Sequence, residues 1–341
     1  MTIKRLLKNQ TLKNAYFSVI DAFFLPFAML VATPLFLKHL GAEQYGIWML
    51  INSIIASMAI LNIGGVDVVT KYVSAYRKDE NTQHIKKIFS TVFILQMMLG
   101  AMISILIIWL APIFVTSGIF QVELKYQPLF AQSLIFGGFL FVIKMIEQVM
   151  IGFLRGQERY DLSSMMSIFS KSVLIVTQIF IVINEGNLSE VFLYSFLVLS
   201  LILCLEIIGL KLLYLEAQFL TCFSINTLTE LLSFSGWSWL LTLALLFASQ
   251  IDRWLIGALV GMKVLAYYSI ALLVFTQIHA IIASSLSWIF PKVSKMGINK
   301  ETTQLFYYAQ SYAVILSSLV SLFLLYFNEI FLFWLGKESY Q

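Results

Sequence analysis

A small set of ionisable side chains interrupts stretches of sequence that are otherwise almost wholly apolar. The set comprises Asp21, Asp67, Lys144, Glu147, Lys171, Glu206, Asp252 and Arg253. If those stretches cross a membrane, each charge near the bilayer centre costs about 2.5–3.5 kcal/mol. Charged residues that occur in a membrane despite this cost usually bind a ligand or an ion, or pair with another side chain. The residue types allow two kinds of chemistry: lysine and arginine can bind an anionic ligand, and the carboxylates can bind an ion.

The spacing of these charges places them on helix faces that they share with small or polar residues. Residues three, four or seven positions apart lie on one face of an α-helix. This rule groups Asn14, Ser18 and Asp21; Ser133, Gly137, Lys144 and Gln148; Ser167, Lys171 and Gln178; and Ser238, Thr242, Ser249 and Asp252. Arg253 lies one turn from Ser249 and borders the last group. Four polar stripes, each with a charge, predict a water-filled cavity enclosed by four helices.

Simpler explanations exist for some of these charges taken singly. Lys144 and Glu147 are three residues apart and could neutralise each other on one helix. Asp252 and Arg253 could form a pair at the membrane interface, because an arginine near a helix end can extend its charge to the head groups. Lys171 could reach the head groups in the same way, since it lies about two turns inside its helix.

The stretches that carry the charges have the length and composition of membrane-spanning helices. Hydrophobic residues make up 60% of the 341 residues and charged residues 12%, whereas soluble domains average roughly 25% charged residues. A spanning helix needs about 20 mostly apolar residues. Nine segments meet this requirement: 15–37, 45–66, 88–111, 129–153, 165–184, 190–213, 236–258, 267–290 and 303–327. We therefore predict an all-α polytopic membrane protein with about nine transmembrane helices.

The connections between the segments predict an orientation and a division into lobes. Of 22 lysines and arginines, fifteen fall on the N-terminal side of the predicted membrane and four on the opposite side. Cytoplasmic loops carry an excess of positive charge, so the N-terminus is predicted to be cytoplasmic. We predict an N-terminal six-helix lobe over 1–213, a cytoplasmic linker over 214–235 and a partial C-terminal lobe over 236–341. The net charge of +4 is spread between apolar segments and forms no patch for nucleic acid.

A short motif recurs at equivalent places in this topology. The pattern Leu-Gly-x-Glu-x-Tyr occurs at 40–45, between the first two segments, and again at 335–340, after the ninth. A looser copy, VGMKVLAYY at 260–268, joins the seventh and eighth segments. Three copies at equivalent positions indicate a duplicated architecture. Because the first copy leads into a helix, we expect at least one further helix after Gln341 and hence a truncated second lobe.

The short motifs that indicate an enzyme or a metal site do not occur in the sequence. It contains no GxxxxGK[ST], HExxH or GxSxG, which would indicate a nucleotide cradle, a zinc protease or a serine hydrolase. Its three histidines and two cysteines are not spaced as metal ligands. The sequence predicts no enzymatic activity, no cofactor and no metal. Transport would draw on an ion gradient, the membrane potential or the substrate gradient.

Four stretches resemble a known family of transporters: LGAEQYGIW (40–48), NIGGVDVVTKYVSAY (62–76), SQIDRWLIGALVG (249–261) and FPKVSKM (290–296). Together they are similar to the Wzx-type polysaccharide flippases of the multidrug/oligosaccharidyl-lipid/polysaccharide exporter superfamily. The resemblance implies two six-helix lobes in a V shape around a central cavity. It also implies alternating-access transfer of undecaprenyl-diphosphate-linked oligosaccharide repeat units from the cytoplasmic to the outer leaflet of a bacterial cell membrane. Such units supply O-antigen, lipopolysaccharide or capsule.

The same resemblance assigns roles to the charged residues. Arg253, Lys144 and Lys171 are expected to bind the diphosphate and acidic sugars of the substrate, and Asp21, Asp252 and Glu147 to serve ion coupling or gating. Membrane lipids, a polysaccharide polymerase and glycosyltransferases are the expected partners. Two alternatives remain open. One is a multidrug or cation antiporter of the same superfamily, which would favour acidic over basic cavity residues, and the other is a non-functional truncated remnant.

Overall fold

Long helices form the architecture of the described chain. The structure is a computed structural model that describes residues 10–58, 66–78, 81–214, 217, 219–220, 223–286, 300–326, 329 and 334–335. No β-strand occurs within these ranges, which confirms the predicted all-α class. The basic residues Lys4, Arg5 and Lys8, the stretch 290–296 and the motif copy beyond Leu335 lie outside the described residues. The side chains of Ser238 and Thr242 do as well.

Nine helices cover most of the described ranges. They are α1 (Gln10–Ser57), α2 (Val66–Lys78), α3 (Thr82–Thr116), α4 (Gln127–Gly156), α5 (Tyr160–Ile183), α6 (Leu188–Leu213), α7 (Ile225–Leu259), α8 (Met262–Leu286) and α9 (Lys300–Leu325). A short 3-10 helix, Leu124–Tyr126, precedes α4. Six stretches of the described residues are long and apolar enough to cross a membrane. The chain is therefore built as a polytopic membrane protein.

Helix α1 contains the first predicted segment and the second as far as Ser57, separated by a kink. Its 48 residues would extend roughly 72 Å, against about 30 Å for the hydrocarbon core of a bilayer. Gly41 breaks the helix with φ 77° and ψ 164°, and Gly261, between α7 and α8, also has a positive φ of 113°. Only glycine adopts such angles readily. In both described copies of the repeated motif, the glycine thus turns the chain from one helix into the next.

Helices α2 and α7 differ from the sequence prediction. Residues 66–78 were predicted as the end of a segment and a connection, but they form α2, which buries Val69 and Val73 completely. The helix lies against α4, where a Cβ on Gly152 or Gly156 would come within 3.0 Å of α2 atoms. This close approach depends on packing that hydropathy does not report. Helix α7 begins at Ile225, eleven residues before the predicted segment, so much of the predicted linker is helical.

The packing places two parts of α1 in different surroundings. Helix α4 contacts α1, α2, α3, α5 and α6. The part of α1 before the kink lies against α5, and the part after it lies against α8 and α7. Helix α1 therefore borders both α5 and the pair α7 and α8.

Candidate functional site

A cavity lined by several of the predicted residues lies between α1, α4, α5 and α6. We call it the Asp21 chamber, and its volume is about 320 Å³. Its polar lining consists of Asp21, Lys144, Glu147, Gln148, Arg155, Ser167, Ser170 and Lys171. Three of these side chains are cationic and two are carboxylates. The chamber therefore carries a net positive charge when all five groups are ionised.

Asp21 is the most connected group in this chamber. Its Oδ1 lies 2.6 Å from Lys171 Nζ and accepts a hydrogen bond of 2.7 Å from Ser167 Oγ. Its Oδ2 lies 3.3 Å from Arg155 Nη2. The Asp21 side chain is only 7% exposed, and a buried carboxylate needs such partners because burial removes its hydration. Lys171 therefore does not extend to a membrane interface but holds α1 against α5.

Lys144 occupies a different position, projecting from the middle of α4 into open space. Its side chain is exposed, although it lines two cavities inside the helix bundle. Among the described residues, no carboxylate lies within 4.0 Å of its ammonium group. Glu147 acts on it electrostatically from a longer distance, and Lys171 repels it. Lys144 and Glu147 thus do not form the close pair that their spacing allows, and the ammonium group faces the space where a ligand would lie.

The second cavity, which we call the Arg253 chamber, meets the first at Lys144. Its volume is about 260 Å³. Its polar lining residues are Asn52, Lys144, Gln178, Arg253, Ser269 and Thr276, with Trp48, Phe141 and Phe192 among the apolar ones. No carboxylate occurs among the described residues that line it. Two cations without a lining carboxylate make this chamber the more positive of the two.

Two hydrogen-bond donors in the Arg253 chamber have no partner within the described chain. One is the buried Nε of Arg253, and the other is the hydroxyl of Ser269, a residue only 2% exposed. Arg253 Nη1 donates to Gln250 Oε1 at 3.1 Å. A buried donor without a partner costs roughly 1–3 kcal/mol. Oxygen atoms of a ligand in the chamber would satisfy both donors.

Asp252 is directed away from this chamber. Its Oδ1 accepts a hydrogen bond of 2.8 Å from the backbone N–H of Arg253. Its Oδ2 accepts a hydrogen bond from the hydroxyl of Tyr268 on α8. The structure therefore separates the adjacent charges predicted to act together: Arg253 lines the chamber, and Asp252 links α7 to α8.

Contacts near Gly41 and Gly261 join α1, α7, α8 and the segment that contains Gln121, and we call this region the closed end. Trp254 Nε1 donates to Ser53 Oγ at 3.1 Å, which joins α7 to α1. Gln121 donates from its backbone N–H to Gly257 O at 3.0 Å and from Nε2 to Leu259 O at 3.1 Å. A Cβ on Gly46 would lie 1.9 Å from the backbone O of Met262. Only a glycine lets α1 and α8 approach so closely.

Arg155 belongs to the site although the apolar pattern predicts a cytoplasmic connection at its position. The predicted fourth segment ended at 153, whereas α4 continues to Gly156. Arg155 is eleven residues after Lys144 and seven after Gln148, so it continues the polar face of α4. That spacing was available in the sequence. Its pairing with Asp21 was not, because the two residues are 134 positions apart.

No metal site accompanies these side chains in the part of the chain that the structure describes. No group of three or more His, Cys, Asp or Glu residues there could hold a metal ion. Asp21 and Glu147 both line the Asp21 chamber, but lysine and arginine side chains lie among them. The arrangement suits an anion better than a metal cation.

The sequence and the fold of the chain are similar to those of known proteins. A family model described as polysaccharide biosynthesis protein matches residues 12–297. The chain belongs to this family. It is also similar to the solved structure of a transporter of the MOP superfamily from Pyrococcus furiosus, with 14% identity, a TM-score of 0.49 and coverage of 93% of this chain and 68% of that chain. No curated protein matches the chain. The family and the apolar helices together make it a multi-pass membrane protein of polysaccharide biosynthesis.

Proposed function

We propose that this member of the polysaccharide biosynthesis family is a flippase for lipid-linked oligosaccharides. Its substrate would be an undecaprenyl-diphosphate-linked repeat unit, moved from the cytoplasmic to the outer leaflet of a bacterial cell membrane. The observation that carries the proposal is the pair of cationic chambers joined at Lys144. A diphosphate is an anion, and lysine and arginine are the side chains that bind phosphate oxygens most strongly.

The two chambers would receive the substrate in sequence. A phosphate entering the Asp21 chamber competes with Asp21 for Lys171 and Arg155, which both lie within 3.3 Å of that carboxylate. In the Arg253 chamber the ligand meets the Nε of Arg253 and the hydroxyl of Ser269, two donors that have no described partner. Amide and aromatic side chains around them, such as Asn52 and Trp48, are suited to hydroxyl groups and apolar faces of sugars.

Release on the far side would require the closed end to open. The contacts of Trp254 with Ser53 and of Gln121 with Gly257 and Leu259 are single hydrogen bonds. Each contributes about 0.5–1.5 kcal/mol, so a bound ligand could offset their loss. In this arrangement Asp21 would act as a gate that yields to substrate. Asp252 would hold α7 and α8 together while they move. Glu147 would balance the charge of Lys144.

A cation or multidrug exporter fits the chambers less well. Such a protein needs carboxylates that face its ligand, and the described lining of the Arg253 chamber has none. In the Asp21 chamber, Asp21 is already neutralised by Lys171 and Arg155, and the other lining carboxylate, Glu147, lies among the same cations and Lys144.

Gene deletion in the host tests the proposed function. We expect lipid-linked repeat units to accumulate on the cytoplasmic side and surface polysaccharide to disappear, while drug susceptibility stays unchanged. Complementation with the wild-type chain should restore the polysaccharide, and complementation with Lys144→Ala should not. Lys211→Ala, which changes an exposed lysine at the end of α6, is the control and should restore it. Unchanged surface polysaccharide after deletion would refute the proposal.

A further inference from the structure

A large apolar groove lies beside the Asp21 chamber, on the other side of α1 and α5. We call it the lateral groove; it is formed by α1, α5, α6 and the end of α4, and its volume is about 580 Å³. Ser172 and Glu206 are the polar side chains among its described lining. Met165, Phe169 and Leu213 line it and are more than half exposed, which leaves it accessible from the side of the bundle.

The groove and the chamber share one wall. Residues adjacent in sequence face opposite sides of that wall, with the first of each pair in the groove and the second in the chamber: Ile20 and Asp21, Leu154 and Arg155, Met166 and Ser167, Phe169 and Ser170. Three helices thus separate an apolar space from a cationic one at the same level of the bundle. An amphiphile with an anionic head group and a hydrocarbon chain has these same two parts.

Glu206 distinguishes the groove from an ordinary lipid-facing surface. A carboxylate against acyl chains is costly, but the Glu206 carboxylate accepts a hydrogen bond from a residue on the other side of the shared wall. Ser170, which lines the chamber, donates from Oγ to Glu206 Oε1 at 2.8 Å. One hydrogen bond therefore connects the lining of the chamber with the lining of the groove. Glu206 marks the place where the apolar space comes nearest to the charged one.

We propose that the lateral groove holds the hydrocarbon chain of the lipid whose anionic head group occupies the Asp21 chamber. This rests on the proposed function, since it takes the ligand to be a lipid-linked diphosphate. The contacts of Asp21 with Lys171 and Ser167 join α1 to α5 between the two spaces. A diphosphate that binds Lys171 in place of Asp21 weakens this contact between α1 and α5. The link between the head group in the chamber and the hydrocarbon chain in the groove must pass between the two helices at this contact.

The lining of the groove suits a long, branched chain. Methionine side chains adapt their shape to irregular apolar ligands, and Met165 and Met166 are adjacent on α5. Gly209 on α6 leaves open space, since a Cβ there would meet no atom within 4 Å. That glycine offers a way to fill the groove without displacing protein atoms.

Photolabelling of the full chain in phosphatidylcholine vesicles tests the proposal. The probe is a polyprenyl diphosphate with a photoreactive group in its chain, and the labelled peptides are identified by mass spectrometry. We expect wild-type labelling on α5 and α6 within the groove. Gly209→Trp should lower it about tenfold, equivalent to about 1.4 kcal/mol, and Gly209→Leu less. Cys204→Trp, at an exposed position of the same helix outside the groove, should leave it unchanged.

Binding of inorganic diphosphate separates the groove from the proposed function. This head-group probe should bind Gly209→Trp as well as the wild type, which also shows that the variant is folded. Unchanged polyprenyl labelling in Gly209→Trp, or equal labelling by a photoreactive phosphatidylcholine that the polyprenyl probe does not displace, would overturn the groove assignment and leave the flippase proposal intact. If the wild type binds neither diphosphate probe, both proposals fall.

Discussion

The two chambers meet at one lysine but differ in how their charges are balanced. In the Asp21 chamber, Lys171 and Arg155 already have a carboxylate partner within 3.3 Å. In the Arg253 chamber no described lining residue is acidic. The buried Nε atoms of Arg155 and Arg253 both lack a partner, so the chambers differ in their carboxylates and not in this donor. An anion must therefore compete with Asp21 for Lys171 and Arg155 in the first chamber, whereas no described lining carboxylate competes with it in the second.

This difference predicts how strongly each chamber holds an anion. Exchange replaces one ion pair with another, so its net free energy is small, because both carboxylate and phosphate lose hydration on pairing. In the Arg253 chamber an anion displaces no described lining carboxylate, and it recovers the cost of leaving the donors of Arg253 and Ser269 unsatisfied. The Asp21 chamber is thus suited to admitting and releasing ligands, and the Arg253 chamber to holding them. Lys144 contributes to both, and its substitution should have the largest effect.

Reversing the charge at Lys144 should abolish transport. Lys144→Glu places a carboxylate where both chambers meet, so an anion is repelled along the whole path. We expect a loss of at least about 100-fold in translocation, equivalent to about 2.7 kcal/mol, measured as surface polysaccharide in a complemented deletion strain. Lys211→Glu makes the same change on the exposed end of α6 and should retain activity. Near-wild-type transport by Lys144→Glu would mean that the ligand does not pass this point.

Removing the carboxylate of Asp21 should show whether an anion competes with this carboxylate for Lys171 and Arg155. In Asp21→Asn, Lys171 and Arg155 lose their partner, so inorganic diphosphate should bind about tenfold more tightly, a gain of about 1.4 kcal/mol. The folded state should lose stability, by less than the 3–5 kcal/mol typical of broken buried pairs, because both cations are more than a quarter exposed. Isothermal titration and thermal unfolding in detergent measure the two effects. Weaker diphosphate binding would exclude competition by Asp21.

The helical architecture was largely predictable, but the contacts that make the chambers were not. Hydropathy located every described long helix, and the spacing of Lys171 after Ser167 predicted their common face on α5. The same spacing could not show that both contact Asp21, because contacts between helices depend on how each helix is rotated and packed. The glycines Gly152 and Gly156, which admit α2 against α4, illustrate the point. Their role appears only when the neighbouring helix is in place.

Removing Arg253 should weaken the chamber that holds ligand and leave the other unchanged. Arg253→Ala is expected to lower translocation about tenfold, equivalent to about 1.4 kcal/mol. Membrane insertion and thermal stability should stay near wild type, because the guanidinium makes one side-chain hydrogen bond, to Gln250. Arg253→Lys keeps the charge and should recover part of the activity. Wild-type polysaccharide in the alanine variant would mean that Arg253 does not bind the ligand.

Loosening the closed end should increase the access of water-soluble reagents to the Arg253 chamber and not to the Asp21 chamber. This is the smallest effect that we predict. Trp254→Phe removes the hydrogen bond from Nε1 to Ser53 Oγ, which contributes about 0.5–1.5 kcal/mol to the closed arrangement. Access to the Arg253 chamber can be measured with Asn52→Cys, because Asn52 lines that chamber. The native Cys204 and Cys222 are replaced by serine so that this cysteine alone is labelled. A membrane-impermeant maleimide added outside should label it about two- to thirteenfold faster after Trp254→Phe, as expected for a free-energy change of that size. A cysteine at Gln148, which lines the Asp21 chamber, is the control and should not change. Equal acceleration at both positions would mean that the tryptophan stabilises the whole bundle, and the closed end would then not be a separate gate.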